Sequence, residues 1–508
     1  MSQTPTSGPA DSTHTGLLIT LTIIAALGGL LFGYDTAVIS GATDSIKQNF
    51  VAPLGLAESA RISTEGWTIS CALFGCIIGG GTGGVVAHWL GRRGGLMVAG
   101  TLFFISSLGS AWPESTIGHL GSLLTWLIDL VRMVVNPLFG AELPNYTFGE
   151  AITNFTGHRI FGGIGIGLAS MLAPMYIAEI APPAKRGALV TYQQIAIVSG
   201  ISLVYFVNAG IATAGDATWL HDTGWRFMLA SCAIPAGLFV LLLFFVPETP
   251  RGLMLKGKNA KAQEVLKKLV SEEEAKVVTA EIDASLKDTA GHLFSYGGLV
   301  IVVGILLSVF QQLVGINAVL YYGKQMFTNM GFAGNAAFAQ TVIIGIVLVV
   351  FTLVATATVD KWGRKPLLIL GSLIMAGSMT ALGFLFYVGS VGTIAVIVVC
   401  IYIAGFSLSW GPVVWVMLAE IFPNSIRNQA MAIAVAAQWI MNLVVSWTFN
   451  IMDSHSGLTA SFNHGFAYWL YGGFSLLSAL FVWKMVPESK GVTLESMQKL
   501  WKKAPAAA

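Results

Sequence analysis

One carboxylate stands inside a segment that otherwise suits hydrocarbon. Residues 16–34 carry no charged side chain, and Asp35 follows them in the same run. An ionised side chain at bilayer depth costs at least about 3 kcal/mol, so Asp35 must face a cavity or a partner. Arg159, in the stretch GHRIFGG, is the best candidate cation because a guanidinium stays protonated. We expect a pair that separates when Asp35 takes up a proton; the alternative is a structural ion pair that never titrates.

A second polar group lies in the stretch VFQQLVGINAVLYY, which holds two glutamines, an asparagine and two tyrosines in an apolar run. In a straight helix Gln312 and Asn317 would point about 140° away from each other, whereas Asn317 and Tyr321 share a face. For the glutamines and Asn317 to reach one ligand, the helix must bend or unwind, and Gly315 is the residue where it can. Discontinuous helices at the bilayer midplane form the binding sites of many transporters.

The composition indicates the elements that position these residues. Only 10% of the 508 residues are charged and 55% are hydrophobic, whereas about 25% of residues are charged in soluble domains. The net charge of +2 gives no reason to expect nucleic acid. A helix of about 20 mostly apolar residues crosses a bilayer, and the chain holds twelve such runs. We predict an all-α membrane protein of twelve transmembrane helices in two six-helix halves, joined by a short cytoplasmic helical linker.

Most lysines and arginines fall in alternate loops, so the positive-inside rule places both termini in the cytoplasm of a multi-pass protein of the cell (inner) membrane. The segment HLGSLLTWLIDLVRMVVNPL is apolar enough to suggest a thirteenth span, but spanning there would expose most lysines outside. We predict instead an amphipathic helix on the outer face. The predicted units are an N-terminal tail at 1–15, a first half at 16–248, the linker at 249–292, a second half at 293–486 and a C-terminal tail at 487–508.

Short motifs recur between the two halves. EIAPPAKR returns as EIFPNSIR, PETPRG returns as PESKG, and LGRRGG returns within DKWGRKP. Parallel repeats of six helices are the organisation of one large transporter fold, with substrate near the midplane. All these motifs fall at cytoplasmic helix ends, where charge pairs would close the inner face when the cavity opens outward. The predicted gate residues are Arg92, Arg93, Glu179, Arg186, Asp360, Arg364, Glu420 and Arg427.

These motifs, together with FGGIGIGLASMLAPMYIAEIAPPAKR and QQLVGINAVLYY, resemble the sugar porter family of the major facilitator superfamily, most of all its bacterial D-xylose–proton symporters. In the proton-coupled relatives the equivalent of Asp35 accepts the proton and that of Arg159 is its partner. The resemblance also implies a monosaccharide site built from amides, which both donate and accept hydrogen bonds, and flanked by indole rings. The implied site residues are Gln194, Gln311, Gln312, Asn317, Tyr321, Gly411, Trp415, Gln438 and Trp439.

Two positions depart from the family pattern. Cys232 stands where close xylose–proton symporters carry a glutamate in the sixth helix, so coupling is expected to be weaker or to depend differently on pH. His88 occupies the slot that Asp360 fills in the second half. Because a histidine is not a fixed anion, we expect a looser clamp in the first half.

The sequence thus predicts a secondary active transporter that imports a monosaccharide, D-xylose or a similar pentose or hexose, with a proton by alternating access. The rivals are a proton-independent facilitator and, less favoured, a sugar sensor that no longer transports. An enzyme is not expected, since HExxH, GxSxG and a convincing Cys–His pair are missing. The expected partners are sugar, proton and lipid bilayer, with no cofactor, metal or nucleic acid, and the chain is expected to be monomeric.

Overall fold

The computed structural model describes residues 9–139, 143–182, 186–287, 292–423, 425–490 and 501, and within these ranges no strand forms. Twelve of the described helices are long and apolar enough to cross a membrane. The predicted all-α, multi-pass membrane architecture is therefore confirmed. The spans, numbered in chain order, are Thr15–Leu54, Glu58–Trp89, Gly91–Ala111, Ala151–Ile180, Leu189–Ala212, Ala217–Leu243, Gly298–Tyr321, Asn335–Trp362, Arg364–Tyr387, Thr393–Ile421, Gln429–Ser454 and Phe466–Met485.

The packing of the spans repeats between the halves. In the first half, span 1 packs on span 5, span 2 on span 4, and span 3 on spans 4 and 6. In the second half, span 7 packs on span 11, span 8 on span 10, and span 9 on spans 10 and 12, the same pattern six spans later. The halves meet where span 2 packs on span 11 and span 5 on span 8. The repeat seen in the motifs is thus a repeat of packing.

Glycines let the spans of the first half approach closely. A Cβ atom added to Gly163 would lie 1.8 Å from the carbonyl oxygen of Ala72, and one added to Gly75 would lie 2.2 Å from that of Ile160. Spans 2 and 4 therefore touch backbone to backbone, as small residues allow in membranes. This contact fixes the height of span 4, which carries Arg159.

The predicted linker is helical over the described residues, in three helices, Pro250–Leu255, Asn259–Leu269 and Glu272–Lys287; residues 288–291 lie outside the described ranges. Ala262, Leu266 and Leu269 are buried, so the second of these helices packs one face on the transmembrane body. The segment that suggested a thirteenth span forms a short 3-10 helix and the helix Thr125–Phe139, neither of which is among the twelve spans. Its position on the outer face of a membrane stays a prediction.

We call the side that carries the linker helices the linker face and the opposite side, where span 1 ends, the far face. Hydrogen bonds that join the two halves cluster towards the far face. Trp447 Nε1 donates to the carbonyl oxygen of Ser63 at 2.9 Å, and Asn450 Nδ2 donates to that of Ile62 at 2.9 Å. The halves are therefore held together at the far face.

Candidate functional site

The predicted pair between Asp35 and Arg159 forms. Arg159 Nη1 lies 2.8 Å from Asp35 Oδ1, and each side chain is only 3% exposed. Arg159 also donates to the backbone carbonyl of Asp35 at 3.4 Å. Asp35 Oδ2 has no hydrogen-bond partner among the described residues. A buried carboxylate oxygen with free lone pairs, beside a cation that holds the other oxygen, is a place where a proton can be received.

Small side chains and a second contact keep room around this pair. Ser106 in span 3 donates to the carbonyl of His158, the residue before Arg159, at 2.7 Å. A Cβ atom on Gly162 would lie 2.5 Å from Ser106 Oγ and 3.6 Å from Asp35 Oδ2. Spans 1, 3 and 4 therefore meet close to the carboxylate, at Gly162 and Ser106. Glycine at 162 is what the space requires.

Span 6 approaches the same segment where it is interrupted, at Ser231 and Cys232. Ser231 Oγ lies 2.8 Å from the hydroxyl of Tyr34, the residue before Asp35, and Cys232 is fully buried. The position where relatives were expected to carry glutamate therefore lies beside the segment of span 1 that holds the carboxylate. In this chain that position offers a thiol instead of a second acid.

Span 7 is interrupted where the amide geometry requires it. The helix Gly298–Leu313 stops and a short helix, Ile316–Tyr321, begins after Gly315, whose φ is +92°. Only glycine adopts that conformation readily, and a Cβ atom there would lie 2.6 Å from the ring of Tyr471. Tyr402 of span 10 donates to the carbonyl of Val314 at 2.8 Å. A neighbouring span thus satisfies the backbone group that the break releases.

The break brings the amides of two spans into one hydrogen-bonded chain. Asn317 Nδ2 donates to Gln312 Oε1 at 2.5 Å, and Gln312 Nε2 donates to Gln311 Oε1 at 3.3 Å. Gln438 of span 11 donates to the same oxygen of Gln311. Gln311 Nε2 then donates to the carbonyl of Trp410 at 3.0 Å. The helix is interrupted at Gly315, as the sequence predicts, and these amides meet; that they share one ligand stays a prediction.

Of the remaining residues implied by the resemblance, Gly411 contacts the amide chain and Trp439 contacts span 1. Gln311 Nε2 lies 3.4 Å from the carbonyl oxygen of Gly411. The ring of Trp439, which is 5% exposed, lies 5.5 Å from that of Phe32 in span 1, centroid to centroid. Tyr321 is buried and Trp415 is half-buried.

Gln194 is half-buried, and among the described residues no hydrogen bond joins it to the amide chain. Its neighbour Gln193 is buried, and both of its amide atoms lack a partner within the described ranges. The role of Gln194 in sugar binding stays a prediction, and Gln193 beside it is a buried amide with unused hydrogen-bonding capacity that the sequence pattern did not select.

The predicted gate residues form two equivalent clusters at the linker face. Arg92 Nη2 lies 2.8 Å from Glu179 Oε1, and the hydroxyl of Thr249 donates to Glu179 Oε2 at 2.6 Å. In the second half the same arrangement recurs. It consists of Arg364 Nη2 at 2.9 Å from Glu420 Oε1 and Ser489 Oγ at 2.5 Å from Glu420 Oε2.

Two carboxylates that the sequence reasoning missed complete these clusters. Glu248 accepts hydrogen bonds from the backbone N–H groups of Arg92 and Arg93, and Glu488 accepts those of Arg364 and Lys365. Each carboxylate satisfies free N–H groups at the start of a helix, where negative charge is favourable. The recurrence of PETPRG as PESKG was the signal that could have identified them.

Other gate residues do not pair with the acids of the clusters. Arg93 donates to the carbonyl oxygens of Leu243 and Phe244, and Arg427 donates to that of Phe422. Asp360 contacts Arg364 at 2.9 Å but is itself 81% exposed. The side chain of Arg186 lies outside the described residues. Both ion-pair clusters therefore connect elements within one half, and neither connects the two halves.

Comparisons with known proteins show which family and which relatives this chain resembles. The family model described as "Sugar (and other) transporter" matches residues 21–501. The chain is 50% identical over 491 residues to the D-xylose-proton symporter of Escherichia coli strain K12, covering 96% of each chain. It is 39% identical over 497 residues to the glucose facilitated diffusion protein of Zymomonas mobilis, covering 97% of this chain and 99% of that one.

Two solved structures of the E. coli xylose transporter are also similar. One, in a partially occluded inward open conformation, matches with a TM-score of 0.80 at 47% identity, over 94% of this chain and 100% of the other. The other, bound to 6-bromo-6-deoxy-D-glucose, matches with a TM-score of 0.78 at 49% identity, over 96% of this chain and 100% of the other.

The break in span 7 generates a stability prediction. We expect Gly315→Ala to be destabilised more than Gly331→Ala, which has a similar φ of +94° but no atom within 4 Å of its added Cβ. The left-handed backbone costs both variants about 1–2 kcal/mol. Only Gly315→Ala adds overpacking against Tyr471, worth about 1–3 kcal/mol. Thermal unfolding in detergent measures the difference, and equal losses would contradict the proposed contact.

Proposed function

This chain belongs to the sugar transporter family of the major facilitator superfamily, as its sequence predicts, and on that premise we propose that it imports a monosaccharide together with a proton. The observation that carries the proposal is the buried contact of Arg159 with Asp35 in the half that faces the amide chain. An amide site alone would suit any sugar carrier. A buried acid with one unused oxygen is what proton coupling adds.

We assign sugar binding to the amides Asn317, Gln312, Gln311 and Gln438. Each amide offers a donor and an acceptor, so vicinal hydroxyl groups can replace the bonds that the amides make to one another. The exchange keeps the amides hydrogen-bonded, which limits the cost of binding in a dry site. Trp439 and Trp415, with Tyr321, Gly411 and Gln194, are assigned to the walls of the same site, where an indole face suits the C–H side of a sugar ring.

Proton coupling is assigned to the pair in spans 1 and 4. When Asp35 binds a proton, its negative charge disappears and the charged bond from Arg159 is lost. Spans 1 and 4 are then free to shift relative to each other. When the proton leaves, the pair re-forms and restores the starting arrangement. Because the cation never titrates, the carboxylate alone decides between the two arrangements.

The available driving force is large enough for accumulation. One charge crossing 100 mV is worth about 2.3 kcal/mol, and one pH unit adds about 1.4 kcal/mol. Together they support a sugar ratio of several hundredfold between the two sides. A carrier without coupling would stop at equal concentrations.

We assign the linker face to the cytoplasm, because the linker holds a concentration of lysines. Both termini then lie on the cytoplasmic side of the inner cell membrane. The chain is assigned as a monomer. We interpret the two ion-pair clusters as braces, meaning rigid connections within one half each. They tie the loop between two spans to the end of a third, so that each half moves as a unit. This assignment narrows the predicted gate role, since a brace within one half does not itself close the path.

A proton-independent facilitator is the second candidate, favoured by the similarity to the Zymomonas mobilis protein and by Cys232 in place of an acid. The two candidates differ in a single measurable property, which is accumulation against a gradient. A non-transporting sensor is less favoured. It would bind labelled sugar in reconstituted vesicles without filling them.

The coupling assignment predicts that Asp35→Asn abolishes uphill uptake while exchange of labelled for unlabelled sugar continues. A neutral amide mimics the protonated acid and can no longer release the proton, so the coupled cycle stops but the sugar-bound carrier still reorients. Proteoliposomes with an imposed proton gradient measure uptake, and those preloaded with sugar measure exchange. Concentrative uptake by Asp35→Asn would refute the assignment.

The amide site predicts that Gln312→Ala weakens sugar binding about tenfold or more, because one hydroxyl of the sugar and one neighbouring amide both lose a partner in a buried site. Ser308→Ala is the matched control, since Ser308 is buried in the same span and its hydroxyl lacks a partner among the described residues. Isothermal titration of purified protein measures both variants. Equal affinities in the two would place the sugar elsewhere.

Substrate identity follows from a competition assay. We expect D-xylose to inhibit uptake of labelled D-xylose at the lowest concentration among D-xylose, D-glucose, D-galactose and L-arabinose, as the similarity to the E. coli symporter favours. Pockets lined by hydrogen-bonding groups discriminate between sugars that differ by one hydroxyl. If a hexose competes better than D-xylose, the substrate assignment changes while the coupling assignment stands.

A further inference from the structure

Two lysines form reciprocal contacts between the halves at the far face. Lys47, near the end of span 1, lies 2.8 Å from Asn450 Oδ1 and 2.9 Å from Gln325 Oε1, both in the second half. Lys324, in the helix Gly323–Asn329 that follows span 7, pairs with Asp44 at the end of span 1. Each half therefore supplies a lysine that contacts the other half at this face.

Lys47 stays compensated by its own half. Its ammonium lies 3.6 Å from Glu65 Oε2 in span 2, and the Glu65 side chain is 7% exposed. Arg61, one turn earlier, contacts the other oxygen of Glu65 at 2.7 Å. When the halves separate at this face, Lys47 keeps the carboxylate and loses only neutral amide oxygens. Water can replace those, so the charge is never left buried and unpaired, which would be far more costly.

Asp453 fixes the direction in which the Gln325 amide points. Gln325 Nε2 donates to Asp453 Oδ2 at 2.7 Å, and the Asp453 side chain is only 2% exposed. A carboxylate can only accept, so the amide must present its N–H₂ group to Asp453 and its oxygen to Lys47. Asn329 donates to the same carboxylate at 3.2 Å. Asp453 therefore acts on the contact between the halves through Gln325.

His464 supports the same carboxylate. Its Nδ1 lies 2.9 Å from Asp453 Oδ1, and this hydrogen bond raises the pKa of His464 above its ordinary value. The backbone at His464 has a φ of +67°, a conformation that residues other than glycine rarely adopt. An open cavity of about 370 Å³, lined in part by Gln325, Asn329, Asp453 and His464, reaches this cluster from outside. Solvent at the far face is thus next to the bonds that must open.

We infer that Lys47 is the latch of the far-face gate, with Gln325 and Asn450 as its receivers and Asp453 as the residue that positions Gln325. The latch holds the arrangement in which the far face is closed, and each transport cycle must release it. Its strength sets the ratio of far-face-closed to far-face-open molecules. This inference rests on the alternating access of the proposed function, but the measurement below needs no sugar or proton gradient.

The test is a distance measurement by electron paramagnetic resonance between spin labels on Leu54→Cys and Ala460→Cys, one in each half at the far face, in lipid nanodiscs. We expect Lys47→Met to raise the population with the longer distance about tenfold or more, since it removes charge-assisted hydrogen bonds. We expect Asp453→Asn to produce a smaller increase, because an asparagine can form a hydrogen bond with the Gln325 amide whichever way that amide points. The double variant should match Lys47→Met alone, because both changes act through one contact.

Arg226→Met is the matched control. Arg226 is a far-face cation that contacts Glu114 at 2.9 Å, but both residues belong to the first half. We expect its distance distribution to match that of the unsubstituted protein. Gln325→Ala, which leaves the cation in place, is the second variant if Lys47→Met unfolds. It should also lengthen the distance.

An unchanged distribution in both Lys47→Met and Gln325→Ala would overturn the latch. Additive effects of Lys47→Met and Asp453→Asn would overturn the positioning role of Asp453. A failure of sugar transport can be distinguished from both of these results. A chain that shows the predicted distances and does not move sugar would refute the proposed function and leave the gate intact.

Discussion

The ion pair between Asp35 and Arg159 is the interaction on which the rest of the structure depends. A membrane interior offers no water to stabilise a charge, so the two groups must find each other across two helices. That requirement sets the height of span 4 against span 1, and the backbone contact of Gly75 and Gly163 fixes span 4 against span 2. The pair also leaves one oxygen of Asp35 without a hydrogen-bond partner in the part of the chain that the structure describes.

The same absence of water explains the shape of the amide site. A break in a membrane helix releases backbone groups that must be satisfied by protein. At the interruption of span 7 the hydroxyl of Tyr402 takes up the carbonyl of Val314, and the amides bond to one another. In a site assembled in this way most amide groups are already paired with one another, while Gln438 Oε1 lacks a partner among the described residues, and the site presents a line of donors and acceptors to an incoming solute.

The sequence predicted those features that are expensive to place in lipid. Asp35 and Arg159 were identifiable because charges are rare in apolar runs, and the break at Gly315 followed from the angle between Gln312 and Asn317. The rotation of span 5 was not predictable, because a helix with apolar residues on all sides gives no periodic signal. The sequence therefore did not show that Gln193 is buried and Gln194 half-buried.

Contacts assembled from distant segments were beyond reach as well. Lys47, Gln325, Asp453 and His464 come from separate parts of the chain, and no spacing relates them. The pairing of Arg93 and Arg427 with backbone carbonyls was equally hidden, because a sequence does not display its carbonyl oxygens. The twelve spans, in contrast, followed from composition alone, since a helix that crosses lipid must be apolar along its length.

The carboxylates of Glu248 and Glu488 bind the first residues of two helices through backbone N–H groups and not through the side chains of those residues. A substitution at these positions changes the side chain and leaves the backbone hydrogen bond in place. This explains how arginine at 93 and lysine at 365 occupy matching places without loss of symmetry. Two halves that are held through backbone groups can therefore differ in side-chain chemistry while they keep the same arrangement of helices.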